Sequence, residues 1–314
     1  MPDDDPAVTQ VDCGPFTLIM PGTDEPLPAG ASPEADGVWR LVRPDRHAAV
    51  AEFAARYGAV REAEGLAPIA PDAVRALPFA DLTGRHVARW TARAASYERL
   101  LAAADLGGAP DGGHRGPPPG LMVDIGAGSG WLAADLARRG WSAAAVDLCV
   151  NDGDGLRAAQ AHPEPLTLIQ AEMDALPFAS ASVDLAVFNA ALHYAPAVDR
   201  ALAEAARVLS PGGRLVVLDS PVFATPRAGA AMVADFAAHT ARVHGVEAAP
   251  LEGPGFVTER DLDAFATSAG IPWRRIDADT GLVATLRAWR GRRRAGREIA
   301  RMPLLMMTLD GRSG

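Results

Sequence analysis

The stretch VDIGAGSG at residues 123–130 constrains this chain more than any other. An apolar run leads directly into Gly126, Gly128 and Gly130, and a helical run starts at Trp131. Glycine permits positive φ and lets backbone approach a ligand with no Cβ between them, so the stretch predicts a strand, a ligand-facing turn and a helix. A dinucleotide fingerprint, G-x-G-x-x-G/A, places a small third residue where helix packs on strand. Trp131 stands in that place and Gly130 comes one position early, so the pyrophosphate-binding version is the weaker fit.

Beyond residue 120, short apolar runs alternate with Ala-rich helical stretches: LMVDI, a helix from Trp131, SAAAVDL, LTLIQ, VDLAVF, a helix from about Asp199, and RLVVLD. Such alternation predicts parallel strands joined by right-handed crossovers. Trp273–Asp277 and Pro303–Leu309 supply two further strands after two more helices. The Gly- and Pro-rich segment 107–120 cannot continue a helix and marks a boundary. Residues 1–120 are read as an N-terminal arm and helical extension or lid, and residues 121–314 as the core, with an insert around 221–257. Within the extension, residues 1–37 form an arm whose apolar run Phe16–Met20 lies across the rest of the protein. One amphipathic helix spans about 46–64, with Val50, Phe53, Ala54, Tyr57 and Val60 on its stripe. A second spans about 85–106, with Val87, Trp90, Ala94, Tyr97, Leu100 and Leu101 on one side.

Composition narrows the function classes. With 39 acidic and 30 basic residues the formal charge is −9, which gives no general attraction to phosphate backbones or anionic membranes. Neither nucleic acid nor membrane is the expected partner. The sequence contains no lysine, so Schiff-base chemistry and a P-loop are excluded. Cys13 and Cys149 stand far apart without metal-ligand spacing, and the acidic start lacks a signal-peptide pattern, which together predict a reduced, cytoplasmic protein. Among His47, His86, His162, His239 and His244 only the loose His239-x4-His244 has any pairing, so no metal site is expected. The cluster Arg287, Arg290, Arg292, Arg293, Arg294, Arg297 and Arg301 reads as a solvated face, with attraction of an anionic substrate or RNA as the alternative.

Asp147 closes AAAVD, 21 positions after Gly126, where an acidic residue commonly accepts from two ribose hydroxyls. Capping of the following turn is the competing role, and Asp152 and Asp154 compete for the ribose. AEMDALPF at 171–178, VDLAVFNAALHY at 183–194 and ARVLSPGGRLVVLD at 206–219 complete a series with the glycine turn. The series resembles the class I S-adenosylmethionine-dependent methyltransferases, in particular their small-molecule branch. The resemblance covers roughly 121–219 and implies a Rossmann-like, doubly wound, seven-stranded mostly parallel sheet with S-adenosyl-L-methionine as cofactor.

Carried over residue by residue, the resemblance implies that Asp124, Gly126, Ala127 and Gly128 hold the amino-acid end of the cofactor. Asp147 and Leu148 would hold the ribose, Glu172 and Met173 the adenine, and Asn189 and Ala190 would line the sulfonium. The family more often has Asp where Glu172 stands, which leaves Asp174 as an alternative. Tyr97 falls where many relatives place an aromatic near the cofactor carboxylate, although it also sits on the apolar stripe. His193, after the fourth strand, is the candidate general base or else shapes the pocket, with Tyr194 as a wall. The expected partner is a small-molecule acceptor, with a homodimer possible. Cofactor use without methylation, and methylation of nucleic acid or protein, stand as alternatives. The Asp/Asn-Pro-Pro-Tyr signature for base amines is absent.

Overall fold

The computed structural model describes residues 14–67, 69–104, 106, 120–248, 252–276 and 298–309. Within them the strands are, in chain order, β1 (Val38–Arg40), β2 (Leu121–Ile125), β3 (Ser142–Asp147), β4 (Leu166–Gln170), β5 (Val183–Asn189), β6 (Leu209–Leu218), β7 (Val222–Phe223), β8 (Val257–Thr258), β9 (Arg274–Ile276) and β10 (Leu304–Thr308). The helices are α1 (His47–Ala63), α2 (Pro71–Ala76), α3 (Val87–Ala103), α4 (Trp131–Arg138), α5 (Leu156–Ala159), α6 (Val198–Val208), α7 (Pro226–His244) and α8 (Glu259–Ala269).

Eight strands form one sheet in the order β1-β4-β3-β2-β5-β6-β10-β9. Pairs from β1 to β6 are parallel, whereas β10 runs antiparallel to both β6 and β9. From β2 the chain winds outward through β3 and β4, then returns to the other side as β5 and β6. The winding therefore reverses between β2 and β5, and a crevice opens at such a switch point beyond the strand ends. The seven strands expected from sequence are all present, and β1 adds an eighth on the far edge.

The central strands are apolar on both faces because both faces are covered. Val123, Ile125, Ala186 and Phe188 pack into one layer with α6 and α8, while Met122, Leu185 and Val187 pack into the other with α4 and α3. Thr258 and Asp261 start α8 with a reciprocal capping box, which satisfies amides that a helix start leaves unpaired.

The extension is knit into this frame. Phe16 and Leu18 are buried, and Leu18 makes an antiparallel bridge to Phe178. In α1, Val50 and Val60 are buried and Phe53 stacks on Tyr57 with ring centres 5.6 Å apart. In α3, Trp90, Tyr97 and Leu100 are buried. Val87 corrects the expected stripe: it opens the helix beside His86 and remains exposed. The insert consists of the β7–β8 pair flanking α7.

Cys13, the boundary segment before Gly120, and Arg287, Arg290, Arg292, Arg293, Arg294 and Arg297 lie outside the described residues. Arg301 is described; its backbone pairs with Val222 and its side chain lies 3.7 Å from Glu259. Among the described residues no helix is long and apolar enough to cross a membrane.

Candidate functional site

The carboxyl ends of β2, β3, β5 and β6 surround the switch point, and several left-handed backbone positions lie there. After β2 the turn is held to the neighbouring strand, with the Gly126 and Ala127 amides both donating to the Val146 carbonyl at 2.8 and 3.0 Å. Gly126 adopts φ +77°, and a Cβ on it would lie 2.4 Å from that of Ala191. Only glycine fits between the first turn and the segment leaving β5. Gly128, at φ +53°, donates its amide to Asp147 Oδ2 at 2.8 Å. Two non-glycine residues at strand ends are also left-handed: Ala190 (φ 53°) after β5 and Asp219 (φ 55°) after β6. Such conformations cost energy for residues with a Cβ and cluster where a ligand is met.

Buried acceptors face this crevice. Asp124 is 1% exposed; its carboxyl accepts from the Ala133 amide, and Oδ1 has no partner among the described residues. Burial, with the Asp147 charge nearby, pushes its carboxyl up to about 7. Asp147 accepts from the Gly128 and Cys149 amides, each at 2.8 Å, so turn-capping and a ligand-facing position coexist in one side chain. Burial raises it to about 6 despite those bonds. Asn189 Oδ1, His193 Nδ1, Asp154 Oδ1 and Asp219 Oδ2 are likewise buried without hydrogen-bond partners among the described residues. Native proteins rarely leave such atoms unsatisfied, and several around one crevice fit a ligand rich in hydrogen-bond donors. Among them, Asp124 Oδ1 suits an amine or hydroxyl, so the residues present fit the donor groups of an amino-acid and ribose moiety.

Not every predicted site residue is free to meet a ligand. Glu172 accepts from Arg43 Nε at 3.2 Å and Arg46 Nε at 2.8 Å, so the segment between β1 and α1 occupies the carboxylate expected at the adenine. Asp174 is ion-paired with Arg200 at 3.2 Å. Met173 packs partly buried against the core, and the Leu148 carbonyl accepts from Gln170 at 2.9 Å. The Tyr97 hydroxyl donates to Asp135 of α4 at 2.7 Å, and its fully buried ring stands edge-on to Trp131. The apolar-stripe role describes it, because a buried phenol needs a partner and Asp135 supplies one. Asp152 is exposed and pairs with Arg157, while Asp154 is buried and pairs with Arg61 at 2.5 Å.

His193 lies in a 3-10 turn after β5, 4.2 Å centre to centre from the Tyr194 ring. Burial, reinforced by the Arg93 charge, pulls its imidazole down to about 3. It is therefore neutral across the physiological range. Tyr57 of α1 stands edge-on to Tyr194 at 5.6 Å and brings the extension over this wall.

Sequence reasoning missed Arg61, Arg93, Ser96 and Asp219. Ser96 donates to Asp219 Oδ1 at 2.7 Å and fixes α3 against the end of β6. The signals were faint but present. Asp219 ends LVVLD as Asp147 ends AAAVD, and Arg89 and Arg93 place like charges one helical turn apart beside a buried stripe.

Fold and site together define an α/β protein with buried acceptors gathered at a doubly wound switch point. A family model described as a methyltransferase domain matches residues 123–217. That match takes in the glycine turn and most of β2 to β6, the stretch in which the resemblance to class I S-adenosylmethionine-dependent methyltransferases lies. The chain is 32% identical over 169 residues to a malonyl-[acyl-carrier protein] O-methyltransferase of Methylococcus capsulatus, covering 53% of this chain and 57% of that one. It is 36% identical over 107 residues to an uncharacterized methyltransferase of Mycobacterium tuberculosis, covering 33% of this chain and 51% of the relative. The chain thus spans about half the length of these two curated relatives. Among solved structures, the CurJ carbon methyltransferase is similar with a TM-score of 0.48 and 14% identity, covering 85% of this chain and 68% of the other.

Proposed function

We propose that this chain is an S-adenosylmethionine-dependent methyltransferase acting on a small-molecule acceptor. The observation that carries the reading is the set of unpartnered buried acceptors, Asp124 Oδ1 and Asn189 Oδ1 foremost, around a glycine turn at the switch point. In this reading Asp124, Gly126, Ala127 and Gly128 hold the amino-acid end of the cofactor, Asp147 and Leu148 the ribose, Glu172 and Met173 the adenine, and Asn189 and Ala190 line the sulfonium. When bound, the cofactor supplies an electrophilic methyl group on a positively charged sulfur. The protein's own contribution is alignment of the acceptor and exclusion of water. In this reading the helical part of the N-terminal extension acts as the lid, with Tyr57 against Tyr194 closing the acceptor side. The similarity to a malonyl-[acyl-carrier protein] O-methyltransferase supports an acceptor other than nucleic acid, as does the net charge of −9. A cytoplasmic setting fits the same reading.

Calorimetry with S-adenosylhomocysteine tests it. Gly128→Val places a branched side chain at φ +53°, with its Cβ 3.2 Å from the Asp154 carbonyl oxygen, and is expected to weaken binding more than tenfold while the chain stays folded. Tighter binding of reduced nicotinamide dinucleotide than of S-adenosylhomocysteine by the wild type would overturn the reading.

A further inference from the structure

Charges at the mouth of the crevice are nearly, but not fully, matched. Arg61 reaches across from α1 to Asp154 at 2.5 Å. Arg99 donates to Ser96 Oγ at 3.1 Å, and Ser96 donates onward to Asp219 Oδ1 at 2.7 Å, so that carboxylate is supported from α3. Arg93 remains. It lies one helical turn before Ser96 and Tyr97, on the face of α3 turned toward the ends of the sheet. Its guanidinium is half-buried over the Trp90 ring, 5.1 Å from the ring centre. Among the described residues it has neither ion pair nor hydrogen bond, although a guanidinium carries five donors. Ser96, one turn further along the same face, meets Asp219, which places Arg93 on the side of the crevice where β6 ends. Asp219 is the acidic group felt most strongly by Arg93, yet burial outweighs it and the guanidinium is held below its ordinary value.

We propose that Arg93 receives a carboxylate in this crevice, and that the carboxylate belongs to the methyl acceptor. The inference rests on the methyltransferase reading above. A half-buried guanidinium with no hydrogen-bonded acceptor among the described residues suits an anionic group, and its fork matches a carboxylate in particular. His193 stays neutral, which suits an acceptor that arrives already deprotonated. With Arg93 holding one oxygen, the other directs a lone pair at the methyl carbon. The new C–O bond forms as the C–S bond breaks and its electron pair passes to sulfur. Carboxylate and sulfonium become a neutral ester and a thioether, and no proton moves.

The test uses the full chain, with its fold checked by circular dichroism, and both R93M and R93K. Three probes, malonate, octanoate and benzoate, are titrated by calorimetry into protein saturated with S-adenosylhomocysteine. At least one is expected to bind saturably to the wild type, at least tenfold more weakly to R93M, and between the two to R93K. Incubation of that acid with S-adenosylmethionine should yield a base-labile methyl ester. Absence of saturable binding by all three probes, or equal binding by R93M, would overturn the proposal. The cofactor's own carboxylate is the other source, and 5′-methylthioadenosine, which lacks it, separates the two. If R93M weakens S-adenosylhomocysteine tenfold but leaves 5′-methylthioadenosine unchanged, Arg93 serves the cofactor and the acceptor assignment falls. Failure of the wild type to bind S-adenosylhomocysteine would instead remove the underlying methyltransferase reading.

Discussion

Asp124 and His193 show how burial sets charge at the level of single residues. A carboxyl held near 7 is about half protonated at neutral pH, and an amine donor brought to its free Oδ1 would favour the ionised form. Binding of S-adenosylhomocysteine at pH 7 is therefore expected to release close to half a proton from Asp124, measured as a dependence of calorimetric heat on buffer ionisation enthalpy. Asp124→Asn should abolish that dependence, and its persistence would move the proton to another group. The same shift bears on stability. A carboxyl raised on folding contributes stability below its unfolded value and loses that contribution as pH rises toward 7, so Asp124→Asn should stabilise the ligand-free protein at pH 8 relative to pH 4. For His193 the sign is reversed. An imidazole lowered to about 3 cannot produce an ascending limb between pH 5 and 9, so His193→Gln should leave the pH–rate profile unchanged in shape and act mainly through the acceptor KM. Loss of an ascending limb in that variant would identify His193 as the base after all.

Between elements, the segment joining β1 to α1 and the loop after β4 meet through one carboxylate. Glu172 is 5% exposed, and its two arginine partners are partly solvated, so truncating it leaves two cations without their counter-ion. Glu172→Ala is expected to destabilise by about 1–3 kcal/mol in urea unfolding, below the 3–5 kcal/mol typical of a fully buried pair because solvent screens the arginines. If the adenine amino group also uses Glu172, Arg46→Ala should tighten S-adenosylhomocysteine binding by roughly two- to fivefold, since an exposed pair is worth up to about 1 kcal/mol. Weaker binding in that variant would mean that Arg46 supports the adenine pocket rather than competing for it. These contacts also mark where sequence reading stopped. The core strands were legible because each is a buried run of five or more residues flanked by helix-period segments. The three residues of β1 and the six of α2 carry no period, and their formation depends on partners far along the chain. Asp124, Asp147 and the glycines were legible as a spaced motif, whereas Arg93 and Asp219 acquire meaning only when α3 is laid against the end of β6.

For the molecule as a whole, the arm is part of the core. Phe16, Leu18, Ile19 and Leu27 are each less than a tenth exposed, and burying such a side chain contributes roughly 1.5–3 kcal/mol. Deleting residues 1–30 should therefore lower the urea midpoint steeply, by about 5 kcal/mol against a total of about 5–15 for a typical domain. A truncated chain with an unchanged midpoint would show that the arm rides on a fold complete without it. The parallel pairing of Val38 with Leu168 has a further consequence in time. Strand β1 leaves the ribosome about 130 residues ahead of the edge it must join. At about 5–20 residues per second it waits several seconds for its neighbour. During that interval Phe16 and Leu18 have no Phe178 to cover them, so the growing chain carries an oily, unmated segment until residues about 160 positions further on have been made.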